Sequence, residues 1–196
     1  FSGRIFKYVY DVNGDLLRIT KPATVDFPQG TTTSFTYANH KLTTITDPKG
    51  QTYLTNYYNG QGMVDVQDYA GNKVYITYDL DNDKTEVKDS KGFKTVYTFN
   101  QTGNPIKKEE YTAGLRAGEP SSYTTTSTYN NALELTSTTY PKGSSIFYTY
   151  DSKGNLLEAR RKPKTGSGEP DITTSFTYES RFNFIKTLKD PKGNTT

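Results

Sequence analysis

Residues 47–58 read DPKGQTYLTNYY, and the same pattern returns at 68–79 as DYAGNKVYITYD and at 89–100 as DSKGFKTVYTFN. In all three copies an Asp opens the pattern and a Gly follows three positions later, at intervals of 21 residues. These residues are Asp47, Asp68 and Asp89, with Gly50, Gly71 and Gly92. A fixed period of this length indicates an array in which each unit is one supersecondary element that cannot bury its apolar face alone. The repeat is therefore predicted to determine the fold.

Each unit contains two predicted turns with different chemistry. The first is Asp-x-x-Gly, as in Asp47-Pro48-Lys49-Gly50, where Asp accepts backbone hydrogen bonds, Pro sets φ and Gly tolerates positive φ. The second follows an aromatic residue, as in Tyr10-Asp11-Val12-Asn13-Gly14, and is typical of a three-residue hairpin loop that ends on a left-handed Gly. The residues predicted to shape these turns are Asp11, Gly14, Asp47, Pro48, Gly50, Asp68, Gly71, Asp89, Gly92, Asp151, Gly154, Asp190, Pro191 and Gly193.

Short runs with alternating faces connect the turns. In Val74-Tyr75-Ile76-Thr77-Tyr78, every second side chain lies on the same face of a strand. The composition agrees with strands, because the chain has 17 Tyr and 10 Phe, and these aromatic residues favour sheets. No stretch keeps a 3.6-residue apolar period. We therefore predict an all-β fold of antiparallel β-hairpin repeats in one continuous curved ribbon.

The aromatic residue that precedes each second turn, called the marker, divides residues 1–196 into a single array of about eight repeats. The markers are Tyr10, Tyr37, Tyr57, Tyr78, Phe99, Tyr129, Tyr150 and Tyr178. Three Pro- and Gly-rich insertions, at 21–30, 111–120 and 161–170, all replace a turn of the first kind. They are predicted to extend loops along one edge. Both ends of the chain fall within the repeat pattern, which predicts that the array is a fragment of a longer protein.

A pair of apolar residues three positions apart follows most of the second turns. The pairs are Leu16 and Ile19, Leu42 and Ile45, Met63 and Val66, and Phe182 and Ile185. A spacing of three places two side chains on opposite faces of a flat strand, so burying both on one face requires a bulge between them. A bulge repeated in this way would curve the sheet.

The motif Tyr-x-Tyr-Asp-x-x-Gly-x-Leu, followed by Asp-Pro-x-Gly, resembles the Rhs or YD-repeat family. Residues 8–16 and 148–156 match it closely, and the resemblance covers the whole chain. It implies a segment of a hollow β-shell or spiral, as in bacterial Rhs and toxin-complex C shells, wall-associated proteins and teneurins. Toxin-type shells in the family end in a self-cleaving segment, but 190–193 lacks its flanking residues and is interpreted as a turn.

What the resemblance implies about function is a non-enzymatic structural segment of a shell that encapsulates a C-terminal toxin or other cargo. The partners it implies are the remainder of the same shell and that cargo. The location it implies is secreted or at a bacterial cell surface. The alternative is a cell-surface adhesion or carbohydrate-binding module, in which exposed Tyr rings bind glycans.

The residues offer little catalytic or metal-binding chemistry. His40, the single histidine, lies at a predicted turn, and no Cys is present, so His40 is interpreted as a solvated turn residue. A calcium candidate lies at Asp79, Asp81 and Asp83, although the twelfth position of an EF-hand is occupied by Ser90 instead of Glu. No catalytic residue and no cofactor is predicted.

Charge and patterning also limit the partners. A net charge of +3, spread along the chain, does not favour binding to nucleic acid. The chain has no run of 18 apolar residues, so membrane insertion is not predicted. Tyr57, Tyr78 and Phe99 are predicted to form an aromatic ladder across neighbouring repeats. The open edges of such a ribbon predict self-association.

Overall fold

The computed structural model describes residues 4–112, 114 and 116–196, and these residues contain sixteen strands and no helix. The all-β class is therefore confirmed. Within the same residues there is no helix of the length and apolarity needed to cross a membrane. The chain divides into two compact units, one containing residues up to Thr77 together with Val87–Gly92, the other Tyr78–Glu86 and Phe93–Thr196.

In the first unit, each strand pairs antiparallel with the next strand in sequence. The strands are β1 (Lys7–Tyr10), β2 (Leu16–Thr20), β3 (Thr32–Ala38), β4 (Lys41–Thr46), β5 (Thr52–Tyr58), β6 (Val64–Tyr69) and β7 (Asn72–Asp79). The last two residues of β7 belong to the second unit, and β8 (Lys84–Lys88) has residues in both.

The second unit follows the same rule of antiparallel pairing between consecutive strands, from β9 to β16. Its strands are β9 (Lys94–Phe99), β10 (Pro105–Tyr111), β11 (Ser122–Tyr129), β12 (Leu135–Thr139), β13 (Ser145–Tyr150), β14 (Leu156–Lys162), β15 (Ile172–Tyr178) and β16 (Ile185–Lys189).

Each unit has one face rich in aromatic and aliphatic side chains, here called the aromatic face. Strand register fixes its members, since paired residues share a face and neighbours along a strand alternate. In the first unit it includes Phe35, Tyr37, Ile45, Leu54 and Tyr58, and in the second Ile146, Tyr148, Tyr150, Phe176 and Tyr178. On the opposite face, cross-strand hydroxyl pairs recur, such as Thr46 with Thr52 (3.0 Å) and Thr139 with Ser145 (2.9 Å).

Neither unit has a conventional core. Among the residues that the structure describes, none is buried, and the side chains of the aromatic face are only half-covered by their neighbours. Burial of apolar surface therefore contributes less here than in a two-layer domain. Strand-to-strand hydrogen bonds and cross-strand side-chain pairs must supply a larger share of the stability.

The predicted bulges are present in two of the four pairs as expected. In β2 and β4, Leu17 and Thr43 are the extra residues, so Leu16 and Ile19 both reach the aromatic face, as do Leu42 and Ile45. The other two predictions need correction. β6 begins at Val64, one residue after Met63, and its extra residue is Asp65. Phe182 lies in a turn, and the bulge of β16 comes after Ile185, at Lys186.

The two kinds of turn use the same hydrogen bonds, so the predicted difference in their chemistry is wrong. The Gly14 N–H donates to the Asp11 carbonyl (3.2 Å), and the Asp11 N–H donates to the Asp15 carbonyl (2.9 Å). The turn that begins at Asp47 has the equivalent pair of bonds, at 3.0 and 2.9 Å. The left-handed backbone expected at the glycines is present, with φ of 89° at Gly14.

The turn between β6 and β7 departs from the Asp-x-x-Gly prediction. Asp68 is a strand residue paired with Lys73, and the turn itself has two residues, Ala70 and Gly71, with φ of 50° and 87°. Pro48 occupies the equivalent of Tyr69 in the copy at 47–50. Because proline has no N–H, it cannot make the bond that closes a two-residue hairpin. The copy at 89–92 has Ser90 at this position and also forms the longer loop, with the Gly92 N–H donating to the Asp89 carbonyl (3.0 Å), so proline is not the only cause.

The three insertions connect β2 to β3, β10 to β11 and β14 to β15. Within its own unit, each therefore replaces a loop of the first kind, as predicted. The first insertion is closed by the Lys21 N–H, which donates to the Thr31 carbonyl (2.9 Å), and the second by the Thr112 N–H, which donates to the Ser121 carbonyl (3.1 Å).

Gly71→Val should lower the free energy of unfolding by about 1–3 kcal/mol, because φ of 87° is costly for a side chain with a Cβ. Gly60→Ala is the matched control, since Gly60 has no left-handed φ and no atom lies within 4 Å of the Cβ position. Thermal and urea melts of both variants make the comparison. Equal stability of Gly71→Val and the wild type would show that the turn assignment is wrong.

Candidate functional site: the row of Tyr-Asp turns

The second kind of turn, here called the Tyr-Asp turn, is organised by one side-chain oxygen. Asp11 Oδ1 accepts the N–H groups of Asn13 (2.8 Å) and Asp15 (2.9 Å). Asp151 does the same with the N–H groups of Lys153 (2.8 Å) and Asn155 (3.0 Å). Such Asx turns satisfy backbone donors that a tight loop leaves without partners.

Asparagine performs the same task where the aspartate is replaced. Asn59 Oδ1 accepts the N–H groups of Gln61 and Met63, both at 3.0 Å, and Asn100 and Asn130 accept equivalent pairs. In the turn at 179–184, which is one residue longer, Glu179 accepts from Arg181, Phe182 and Phe184. These longer loops therefore use an acceptor oxygen, and a negative charge is not essential. After Tyr37 the position is occupied by Ala38, which has no such oxygen, and the chain forms a two-residue turn at Asn39 and His40 instead.

The carboxylates of these turns have lowered pKa values. The pKa of Asp11 lies below its usual value, chiefly because the Asp15 backbone N–H donates to it. The pKa of Asp151 is lowered mainly by the Asn155 side-chain amide, whose Nδ2 lies 2.9 Å from Asp151 Oδ2. Hydrogen bonds to the ionised form favour it, so these groups are poor candidates for a general acid.

The marker tyrosines use their hydroxyl groups in a way that sequence reasoning missed. The Tyr58 hydroxyl donates to the Leu42 carbonyl (2.6 Å), a residue that pairs with Tyr37, the marker of the preceding hairpin. Three further markers repeat this bond: Tyr129 to Pro105 (3.2 Å), Tyr150 to Leu135 (2.9 Å) and Tyr178 to Leu156 (2.9 Å). The available signal was the preference for Tyr over Phe at the marker.

Strand register explains why the Leu42 carbonyl accepts this bond. The pairing of β4 with β5 ends at Thr44 and Thr55, so Leu42 lies beyond the last strand-to-strand pair on that side. A half-buried carbonyl without a partner is costly. Two donors of the next hairpin satisfy it, the Tyr58 phenol and the Asn56 side-chain amide (3.0 Å), and in this way link one Tyr-Asp turn to the next.

The marker predicted at Tyr57 is wrong by one residue. Tyr58 precedes the turn and pairs with Val64 at the bulge, whereas Tyr57 lies on the opposite face, pairs with Val66 and is 50% exposed. The aromatic ladder through Tyr57, Tyr78 and Phe99 stays a prediction. Ring contacts do occur between Tyr53 and Tyr69, with centroids 5.8 Å apart, and between Phe182 and Phe184, at 6.1 Å.

Side chains also connect neighbouring turns. His40 lies in a two-residue turn, in which Asn39 and His40 have φ of 50° and 61°. Its Nδ1 atom lies 3.1 Å from Asp15 Oδ1, in the preceding Tyr-Asp turn. His40 is 66% exposed, so the contact is a surface one of small energetic value. In a later hairpin, Glu134 Oε1 would lie 3.0 Å from a Cβ on Gly154, which shows how closely successive turns approach.

Open grooves lie between successive Tyr-Asp turns. One, of about 690 Å³, is lined by residues that include Asn130, Glu134, Tyr148, Tyr150 and Lys153. Another, of about 530 Å³, is lined by residues that include Asp11, Asp15, Tyr37 and His40. Both are open to solvent and have mixed polar and apolar linings, unlike the concave, largely apolar sites that enclose small molecules.

The calcium candidate does not form a ligand cluster. Both carboxylate oxygens of Asp79 accept the Asn82 side-chain amide, at 3.0 and 2.9 Å. Asp83 has φ of 51°, and its carbonyl accepts the Phe99 N–H (2.8 Å). Across the described part of the chain, no group of three or more His, Cys, Asp or Glu side chains is arranged to hold a metal ion.

Comparison with known families confirms the resemblance read from the motifs. The family model of the RHS repeat matches residues 10–52, which contain the first two Tyr-Asp turns and the first Asp-Pro-Lys-Gly turn. No curated protein matches the sequence.

Several solved structures are similar to the chain. The crystal structure of TcdB2-TccC3-Cdc42 is 13% identical, with a TM-score of 0.45, over 98% of this chain and 14% of that chain. The crystal structure of a porin-like protein from Bacteroides uniformis is 16% identical, with a TM-score of 0.39, over 91% of this chain and 55% of that chain. The structure of the Photorhabdus luminescens Tc holotoxin pore is 14% identical, with a TM-score of 0.35, over 97% of this chain and 15% of that chain. This chain thus spans about one seventh of the TcdB2-TccC3-Cdc42 chain.

Tyr58→Phe should lower the free energy of unfolding by about 1 kcal/mol, because one of the two hydrogen bonds to the Leu42 carbonyl is lost while the bond from the Asn56 side-chain amide remains. Tyr57→Phe is the matched control, one residue away on the other face, and should change stability by less than about 0.5 kcal/mol. Urea melts measure both. If the two variants lose the same stability, the hydroxyl bond does not stabilise the fold.

Acid should destabilise the chain through turn carboxylates, namely Asp11 and Asp151 in Tyr-Asp turns and Asp190 in a turn of the first kind. The pKa values of Asp11, Asp151 and Asp190 are lowered in the fold. Their ionised forms therefore add to the free energy of unfolding above the pKa of the unfolded chain, and this stabilisation is lost as the pH falls through the folded pKa, from about pH 4 downward. Asp11→Asn with Asp151→Asn keeps the acceptor oxygens and should flatten the pH dependence of the melting temperature. Asp26→Asn, in an insertion loop, should leave that dependence unchanged.

Proposed function

Because this chain carries the RHS repeat, we propose that it is a non-enzymatic wall segment of a shell that separates a cargo from its surroundings. The observation that carries the proposal is that neither unit buries any described residue. A sheet that is held from strand to strand, and needs no second layer, is suited to extend as a wall. A globular enzyme or a binding domain would require a core to position its site.

The bonds between successive hairpins support the same function. The hydroxyls of four markers connect their repeats to the ones before them. Stability in such an array is the sum of unit and nearest-neighbour terms, so repeats can be added without a new core. We propose that residues 1–196 work as one array of this kind.

A catalytic role is not part of the proposal, and the chemistry of the turns supports this. The carboxylates with shifted pKa values are stabilised in their ionised form by local hydrogen bonds, the largest of which comes from Asp15 for Asp11 and from Asn155 for Asp151. A general acid needs a raised pKa. The turn residues instead fix the geometry of the loops.

For the cargo, we propose a C-terminal toxin or another polypeptide that follows the array, in a protein that is secreted or displayed at a bacterial surface. The resemblance to Rhs and toxin-complex C shells suggests this assignment. The remainder of the same shell would then be the partner of the two open edges, since unpaired strands favour further pairing.

Limited proteolysis of the full-length gene product tests the proposal. We expect the polypeptide that follows the array to resist protease, and in-frame deletion of residues 68–88, one 21-residue repeat, to make it sensitive. Deletion of the loop residues 164–169, which lie outside the strands, is the matched control and should preserve resistance. Equal sensitivity of all three proteins would reject encapsulation, and binding on a glycan array would favour the adhesion module.

A further inference from the structure

Two Asn-Gly dipeptides occur in the chain, Asn13-Gly14 and Asn59-Gly60. Asparagine is thermolabile, because the backbone nitrogen of the next residue can attack its side-chain amide, and a following Gly offers the least steric hindrance. Both dipeptides lie in Tyr-Asp turns, but at different positions. Asn59 opens its turn, whereas Asn13 is the third residue of its turn.

The Asn59 side chain is held over the backbone of its own turn. Its Oδ1 accepts the N–H groups of Gln61 and Met63, both at 3.0 Å. The hydrogen bonds keep the amide carbon close to the intervening Gly60 nitrogen, and they withdraw electron density from the carbonyl that is to be attacked. The turn therefore both positions and activates the electrophile.

Gly60 is free to act as the nucleophile. Among the hydrogen bonds of the described residues, none uses the Gly60 N–H. The residue is exposed, and no atom lies within 4 Å of the position a Cβ would take. Gly14 is different, because its N–H donates to the Asp11 carbonyl at 3.2 Å and its φ is fixed at 89°.

A cation lies beside the same turn. The Lys41 ammonium occupies the space where Gly62 would carry a Cβ, and it lies 5.5 Å from the centroid of the Tyr58 ring. A positive charge at this place favours a carboxylate over the neutral amide at the turn.

We propose that Asn59-Gly60 is a site of spontaneous deamidation in the folded chain. The Gly60 nitrogen forms a bond to Asn59 Cγ, the Cγ–Nδ2 bond breaks, and ammonia leaves with the proton from the Gly60 nitrogen. Solvent water then adds to either carbonyl of the cyclic imide. Opening at one carbonyl gives aspartate at position 59, and opening at the other gives isoaspartate.

The two products differ in their fit to the turn. Aspartate reproduces the acceptor geometry already present at Asp11 and Asp151, so this product restores a Tyr-Asp turn. Isoaspartate adds a methylene group to the backbone and moves the acceptor oxygen out of place. The modification lowers the net charge by one in either case, and it does not depend on the proposed function.

Peptide mapping by mass spectrometry after incubation of the wild-type chain at mildly alkaline pH tests the proposal. We expect the acid form at position 59 to accumulate several-fold faster than at position 13 while the chain is folded. In concentrated denaturant, where the turns are lost, the two rates should become similar. A rate at Asn59 that is equal to or below that at Asn13 in the folded chain would overturn the proposal.

Gly60→Ala provides the second measurement. The open space around Gly60 and the absence of a left-handed φ allow this variant to fold, which an unchanged thermal melt would verify. Acid formation at position 59 should slow several-fold, while the rate at position 13 stays the same. If the rate at position 59 does not change, the Gly60 nitrogen is not the nucleophile and the proposal fails.

Discussion

A side-chain oxygen at the first residue of most Tyr-Asp turns is the constraint on which the rest of the structure depends. In the turn at Asp11 it accepts two backbone N–H groups, and in the turn at Asn59 an amide oxygen accepts the equivalent pair. The bonds fix the length of the loop. Since loop length sets hairpin register, they also decide which residue of the first strand faces which residue of the second.

Register in turn produces the aromatic face. With Tyr10 opposite Leu16, the strand that follows must absorb one extra residue, Leu17, before Val9 meets Arg18. The resulting bulge brings Leu16 and Ile19 to one face, where two apolar side chains partly cover each other. The half-covered face, together with the marker hydroxyls, replaces the core that the described residues do not have.

A chain of this kind is stabilised locally and between neighbours, which suits the proposed role as a wall. Most hairpins satisfy the backbone of their own turn, and four of them also satisfy a carbonyl of the hairpin before, as Tyr58 does for Leu42. The lowered pKa values of the turn carboxylates belong to the same arrangement. The Asp11 and Asp151 carboxylates are thus engaged by hydrogen bonds within their own turns.

The sequence by itself determined the period, the positions of most turns and the all-β class, because these depend on interactions within about five residues. Asp, Asn, Gly and Pro specify a turn locally, and alternation specifies a strand. Only the tertiary structure decided that Tyr58 is the marker in place of Tyr57, and that Ala70 and Gly71 form a two-residue turn. It also revealed the bond from Tyr58 to Leu42 and the contact of His40 with Asp15. The first two depend on the register between the two strands of one hairpin, which a one-residue change in loop length or bulge position shifts. The other two join residues of different hairpins, 16 and 25 positions apart in sequence, which no local pattern specifies.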